Sequence, residues 1–207
     1  MSWSNQEIAD LIIQTFAPGS SVNLGIGLPT IIAERMPQHL NITIHSENGV
    51  LGVSGRPTKK TLSPTLINAG KETIAVGPGA SFFDSALSFG MIRGGHIDYC
   101  VLGGMEVDSE GNLANWMVPG KKVTGMGGAM DLVNGAKEVI IMMNHFSKSG
   151  EAKLVKRCQL PLTGLAVVSS VYTEMGIFRP QNGRFSIVKL ASGVNISDLK
   201  MDGGLIG

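Results

Sequence analysis

The sequence predicts an α/β domain built on an open, mostly parallel sheet flanked by helices. Three observations carry this. Two runs, HIDYCVLGG (96–104) and EVIIMMNH (138–145), have the near-continuous hydrophobicity of strands buried on both faces. Short amphipathic segments with helix caps alternate with such runs. Glycine-rich turns stand at the ends of the predicted strands, where an α/β sheet places its ligands.

From the N-terminus, Ser4 and Glu7 have capping-box spacing, and Ile8, Leu11, Ile12 and Phe16 recur on one helical face until Pro18-Gly19 stops the helix. SVNLGIG (21–27) is a strand running into a glycine turn. Pro29 sits just inside a second short helix, PTIIAERM, which ends at Pro37. Residues 42–45 (ITIH) form a strand and 46–49 its turn. Residues 51–70, rich in Gly, Pro, Ser and Thr, read as loop. ETIAVGPG (72–79) is a strand closed by Gly77-Pro78-Gly79, and FFDSALSFGMIRGG (82–95) a helix with a glycine stop. GMEVDSEGNLANW is an antiparallel excursion around 109–111, and FRPQNGRFSIV a hairpin around Asn182-Gly183. No repeat, linker or low-complexity segment divides residues 1–207, so they read as a single domain.

Composition narrows the function. The chain is 43% hydrophobic and 16% charged, which fits a packed globular protein and excludes disorder. A net charge of +1 gives no pull on a polyanion, so nucleic acid is not an expected partner. MSWSNQEIADLII has no basic n-region before an apolar core, and no apolar run approaches bilayer length, so neither a signal peptide nor a membrane is expected. Cys100 and Cys158 sit in or beside apolar runs as buried thiols. With no disulfide framework, they point to a cytoplasmic compartment.

Among the glycine turns, Gly25-Ile-Gly27 fails as a dinucleotide fingerprint because Thr30 stands where the third glycine belongs. The histidines, at 39, 45, 96 and 145, lack metal-ligand spacing, so no metal is expected. His45 and His145 follow apolar runs and read as satisfied buried histidines near a pocket. Glu47, in HSENGVLG, is the residue that asks for an explanation. A strand end fixes its position, and Asn48-Gly49 turns the chain directly after it. On composition alone it is a solvated turn residue. Held against oxyanion donors, the same carboxylate can act as a covalent nucleophile.

Six stretches taken together, VNLGIGLPT, SENGVLG, LINAGKET, PGASFFDSALSFGMIRGGHID, NLANWMVPGK and GMGGAMDLV, closely resemble the family I coenzyme A transferases. The likeness is to the β subunit, the half that bears the catalytic glutamate in the 3-oxoacid and acetate–acetoacetate types, and runs from the first helix to near Ser197. The resemblance implies a CoA-transferase glutamate-subunit fold. It implies that Glu47 is the nucleophile of a ping-pong reaction through a glutamyl-CoA thioester, and that Gly128 and the stretch at Asn23 are the oxyanion donors. Gly25, Gly27, Asn48, Gly79, Asn115 and Gly127 then become candidates for binding CoA and the acyl group. Coenzyme A thioesters are substrates, no cofactor is needed, and an α subunit completes a heterodimer or heterotetramer. Short 3-oxo or linear acids, acetoacetate first, are the implied substrates. The loop VSGRPTKKTLSPTL departs from the acidic, proline-containing version of the succinyl enzymes and adjoins the acyl site. Two other readings stand beside this one: a phosphosugar isomerase whose glycine turns hold phosphate, and a non-catalytic subunit of a transferase complex.

Overall fold

The computed structural model describes residues 2–120, 122–123, 125–201 and 205–206. The first half of the chain forms α1 (Asn5–Ile13), β1 (Ser21–Leu24), α2 (Ile31–Arg35), β2 (Thr43–Ser46), β3 (Val50–Gly55), β4 (Ala75–Phe82), α3 (Ser85–Arg93) and β5 (Tyr99–Leu102). There follow β6 (Glu106–Asp108), β7 (Leu113–Ala114), β8 (Met117–Val118), β9 (Lys122–Val123), α4 (Ala129–Gly135) and β10 (Glu138–Met142). The chain continues through β11 (Leu154–Val155), β12 (Ser170–Tyr172), β13 (Gly176–Gln181), β14 (Arg184–Leu190) and β15 (Leu205–Ile206).

Ten of these strands make one sheet, in the order β15-β14-β13-β12-β10-β5-β1-β2-β3-β4. The central strands from β12 to β2 run parallel, and antiparallel pairings extend the sheet on both sides. The expected α/β fold is present, with its parallel part where helices cover both faces. Side chains divide by alternation. Val101, Ile140 and Met142 face a core closed by Ile8 and Ile12 of α1 and Ile32 of α2. Their neighbours Cys100, Val139 and Ile141 face a second core, closed by Ile92 of α3 and Leu132 and Val133 of α4.

Local chemistry starts and stops these elements as the sequence leads one to expect. At the head of α1, Glu7 N donates to Ser4 Oγ (3.2 Å) and Ser4 N to Glu7 Oε2 (2.7 Å), a complete capping box. Asp84 caps α3 by accepting from Leu87 N at 2.8 Å. Asn182 and Gly183 both have positive φ, +52° and +72°, the mirror-image turn that suits a two-residue hairpin between β13 and β14.

Three expectations need correction. Residues 51–55 are not loop but belong to β3, whose Gly52 and Gly55 take positive φ at shifts in register. Gly77-Pro78-Gly79 is no strand-end turn; it lies inside β4, the edge of the sheet, where a residue without an N–H is tolerated. Residues 129–135, to which no element is assigned from sequence, form α4.

Candidate active site

The turn that carries Glu47 is rigid because its neighbours hold it from three sides. Gly49 N donates to Ser46 O (3.0 Å), Ala69 N to Ser46 Oγ (3.1 Å) and Asn48 Nδ2 to Ile67 O (2.8 Å). Gly49 has φ +110°, and a Cβ there would come within 2.0 Å of Phe83 O. Only glycine fits that backbone and that contact. The hairpin of β2 and β3 therefore presents Glu47 on a fixed mount.

Its side chain enters a cleft of about 410 Å³, whose wall includes Gly25, Gly103, Asn115, Gly127 and Gly128. The cleft lies beyond the carboxyl ends of β1 and β5, where parallel sheets place ligands. Gly128 is packed against the side chain: a Cβ on it would sit 3.1 Å from Glu47 Cγ and 3.1 Å from Phe89 Cζ. As the N-cap of α4, Gly128 has an N–H that the helix itself leaves unused. Burial raises the Glu47 carboxyl above its ordinary pKa, opposed by a hydrogen bond from its own backbone and by the Asn23 amide. Among the described residues no group of three or more His, Cys, Asp or Glu side chains is placed to hold a metal ion.

Behind Glu47 lies a buried polar chain. Asn23 is fully buried, with Nδ2 3.0 Å from His45 Nδ1 and 3.3 Å from His45 O. Its Oδ1 has no hydrogen-bond partner among the described residues. His45 Nε2 lies 3.0 Å from Ser88 Oγ on α3. Next across the sheet, Cys100 pairs in register with Asn23. Burial, and then the Glu47 charge, push its thiol pKa up, so it stays a neutral packing group.

The candidates named from sequence separate into three groups. Glu47, Gly128, Gly127, Asn115 and Gly25 share the cleft, and Asn23 reaches Glu47 from behind it. Two of these are already occupied as scaffold. Gly25 N donates to Val101 O (2.8 Å), and a Cβ on Gly25 would sit 2.8 Å from Leu102 Cδ2, so glycine is needed there for close strand approach. Asn115 donates from Nδ2 to Gly103 O (3.1 Å) and accepts from Thr163 Oγ1 (2.6 Å), holding the Gly103 turn in place. Gly27, Gly79 and Asn48 lie outside the cleft wall: Gly27 opens the 3₁₀ turn before α2, Gly79 is in β4, and the Asn48 amide is bonded to Ile67. Sequence reasoning missed Ser88 and the partnership of His45 with Asn23. The two lie opposite each other in the β1–β2 register, which no local pattern reveals.

A family profile described as Coenzyme A transferase matches residues 5–194. One of the subunits of a probable succinyl-CoA:3-ketoacid coenzyme A transferase from Bacillus subtilis (strain 168) is 50% identical over 199 residues, covering 96% of this chain and 92% of that protein. The beta chain of the acetate CoA-transferase of Escherichia coli (strain K12) is 50% identical over 197 residues, covering 95% and 90%. The crystal structure of an acyl-CoA transferase from Escherichia coli O157:H7 superposes with a TM-score of 0.80 at 18% identity, covering 99% of this chain and 42% of that one, which speaks to the fold. A carboxylate on a strand-end turn, in a cleft walled partly by glycines in a sheet of this topology, thus occurs in a chain whose sequence matches one profile from its first helix almost to its end. This chain belongs to the coenzyme A transferase family.

Proposed function

We propose that this chain is the glutamate-bearing half of a two-subunit enzyme that moves coenzyme A from an acyl-CoA to a free carboxylic acid through a thioester on Glu47. The Glu47 carboxylate attacks the thioester carbonyl of the donor, the C–S bond breaks, and CoA leaves as its thiolate from an acyl-glutamyl anhydride. The thiolate then attacks the glutamyl carbonyl, the anhydride C–O bond breaks, and the donor acid departs from a glutamyl-CoA thioester. An acceptor carboxylate reverses the two steps, leaves as its CoA thioester, and returns Glu47 as a carboxylate. One thioester replaces another, so the exchange needs no metal, cofactor or external energy, and its kinetics are ping-pong.

Each attack builds negative charge on a carbonyl oxygen. The Gly128 N–H and the Asn23 amide are the donors that meet it, fixed in place before the charge develops. Carboxylate is a weak nucleophile, and the fixed turn removes the orientational cost while the remote body of CoA supplies binding energy. The single observation that carries this reading is Glu47 itself: one carboxylate on a rigid turn, its pKa raised by burial, with Gly128 against its Cγ. An α subunit closes the cleft in a heterodimer or heterotetramer. The Bacillus relative is named for succinyl-CoA and 3-ketoacids and the K12 relative for acetate, and short 3-oxo or linear acids, acetoacetate first, are the class proposed here.

Two of the glycine turns are used otherwise, the Gly25 amide in the sheet and Gly79 in β4, and the family match favours a transferase over a sugar-phosphate isomerase. The test is peptide mass spectrometry on the chain co-expressed with its α partner and incubated with acetoacetyl-CoA or succinyl-CoA. A CoA adduct on the Glu47 peptide, converted by borohydride to the reduced alcohol and missing in Glu47→Ala, is the expected result. An active complex that retains turnover with Glu47→Ala would make this a non-catalytic subunit and overturn the proposal.

A further inference from the structure

Two polar residues interrupt the apolar face that the sheet turns toward α3 and α4. Across β2, β1, β5 and β10 the inward row reads His45, Asn23, Cys100, Val139, each in register with the next. His45 is 1% exposed and Asn23 and Ser88 are 0% exposed, so none of the three owes its place to solvent. Apolar residues of the same size would pack there without desolvating polar atoms. The arrangement calls for a role that packing does not supply.

The hydrogen bonds determine one another. The His45 carbonyl can only accept, so the Asn23 atom 3.3 Å away is the amide nitrogen and not the amide oxygen. That nitrogen also lies 3.0 Å from His45 Nδ1, which must therefore be an unprotonated acceptor. In neutral imidazole the proton then sits on Nε2 and is donated to Ser88 Oγ at 3.0 Å. The Phe83 ring, parallel to within 11° with centroids 6.3 Å apart, limits rotation of the imidazole. The amide holds this orientation although its Oδ1 is left without a partner among the described residues. Two acceptors from one histidine outweigh that loss.

We infer that His45, whose Nδ1 and backbone carbonyl both accept from the Asn23 amide while Nε2 meets Ser88, is a positioning residue that keeps the N–H side of that amide turned to Glu47. Were the amide to flip, a carbonyl oxygen would face the Glu47 carboxylate and the oxyanion formed on it, and a donor would become a repulsive charge. Ser88, on α3, thereby links the packing of a helix to the polarity of the oxyanion site. The kinetic consequence rests on the proposed function; the tautomer and the amide orientation do not.

Two isosteres separate the roles of the two ring nitrogens. In His45→Asn the new Oδ1 takes the place of Nδ1 and keeps an acceptor for Asn23. In His45→Gln the new amide reaches Ser88 in the place of Nε2 and leaves Asn23 only the backbone carbonyl of residue 45, the longer of its two bonds. The experiment uses the complex with its α partner and measures single-turnover formation of the Glu47–CoA adduct, the Kd for CoA and the melting temperature. His45→Gln should slow adduct formation by about 10²-fold, the scale of losing one oxyanion donor, with the Kd for CoA unchanged. His45→Asn should recover to within about 10-fold of wild type. Ser88→Ala, which removes the Nε2 partner without emptying the pocket, should fall between them and serves if His45→Gln does not fold. Nitrogen NMR of labelled histidine in the wild-type chain should show Nδ1 without its proton. Equal rates for the Asn and Gln variants, or a proton on Nδ1, overturn the inference. A wild-type complex that forms no adduct overturns the proposed function instead, while the NMR result still decides the tautomer.

Discussion

His45 stands in β2 just before the Glu47 turn, and His145 lies three residues beyond β10, at the carboxyl end of another strand of the same parallel set. Both are shielded from solvent, and burial pulls both imidazoles below their ordinary pKa, His45 to about 4. Their partners differ. His145 Nε2 lies 2.9 Å from Leu199 O, its Nδ1 3.2 Å from Thr173 Oγ1, and its ring packs against Phe146 and Phe178. It ties residues 196–199 to the sheet and points at nothing reactive. His45 spends its nitrogens on Ser88 and on an amide that acts on Glu47. Equal burial and an equal direction of pKa shift thus accompany an anchor in one place and a positioning device in the other. What separates them is whether the chain of bonds ends on a fixed backbone atom or on a group that takes part in chemistry.

The sharpest break between the two regions is a pair of deletions. Glu47→Ala should lower CoA transfer by about 10³-fold or more, because a nucleophile has no substitute in its own site. Its folding should be intact or improved, since removing a carboxylate whose pKa burial has raised relieves a desolvation cost at neutral pH. Steady-state turnover of the reconstituted complex and a thermal melt check both; residual turnover above a few per cent would move the nucleophile elsewhere.

Acid titration gives the next largest effect and concerns the histidines. A free imidazole protonates at 6.5 and His45 only at about 4, so between those values the unfolded chain binds a proton that the folded chain refuses. The stabilisation is complete above pH 6.5, is lost as pH falls through that window, and amounts to about 3 kcal/mol. His145 adds a slope of the same sign, and Glu47, with its pKa raised, one of the opposite sign. Denaturant melts at pH 7 and pH 4.5 should show wild type losing more stability than His45→Asn. An equal loss in both would place the acid sensitivity at His145 or elsewhere.

His145→Gln offers the complementary measurement. It removes a bond to Leu199 O and disturbs two aromatic contacts, so about 2 kcal/mol of stability should go. Adduct formation on Glu47 should stay within about 2-fold, because among the described residues the ring of His145 bonds to Thr173 and Leu199 and its backbone N–H to Glu174, all outside the cleft wall. A large fall in rate with unchanged melting would erase the distinction between the two histidines.

The sequence shows these regions unequally. The capping box at Ser4 and Glu7, the hairpin at Asn182-Gly183 and the buried runs of β5 and β10 declare themselves through contacts within a few residues. Glu47 is legible because its strand and its turn are adjacent in sequence. The strand β3 and the course of β4 past Gly77 are not, because glycine and proline read locally as loop or turn while pairing with β2 and an edge position decide otherwise. Gly25 and Asn115 look like ligand-binding residues and are engaged as scaffold, a fact visible only when Val101, Gly103 and Thr163 are placed beside them. The link from Ser88 through His45 to Asn23 spans separations of 43 and 22 residues and depends on sheet register. Only the three-dimensional arrangement contains it.

Two glycines carry the comparison to its smallest expected effect, since the same added methyl should do different things in the two regions. At Gly128, with φ −83°, alanine is free of backbone strain, but its Cβ would lie 3.1 Å from both Glu47 Cγ and Phe89 Cζ. Neither side chain is backbone, so each can give by a few tenths of an ångström. The cost then falls on where the Glu47 carboxylate points. Gly128→Ala should slow adduct formation by about 10-fold, as a small misalignment of a reacting group does, and leave the melting temperature nearly unchanged. At Gly176, whose N–H donates to Thr173 Oγ1 beside His145, a Cβ would meet Lys189 O at 2.8 Å. A backbone oxygen in a sheet cannot yield so cheaply. Gly176→Ala should therefore lower the melting temperature and leave the rate per folded enzyme where it was. If Gly128→Ala melts early and reacts normally, the wall beside Glu47 is structural, and the contact at Gly128 does not set where the Glu47 carboxylate points.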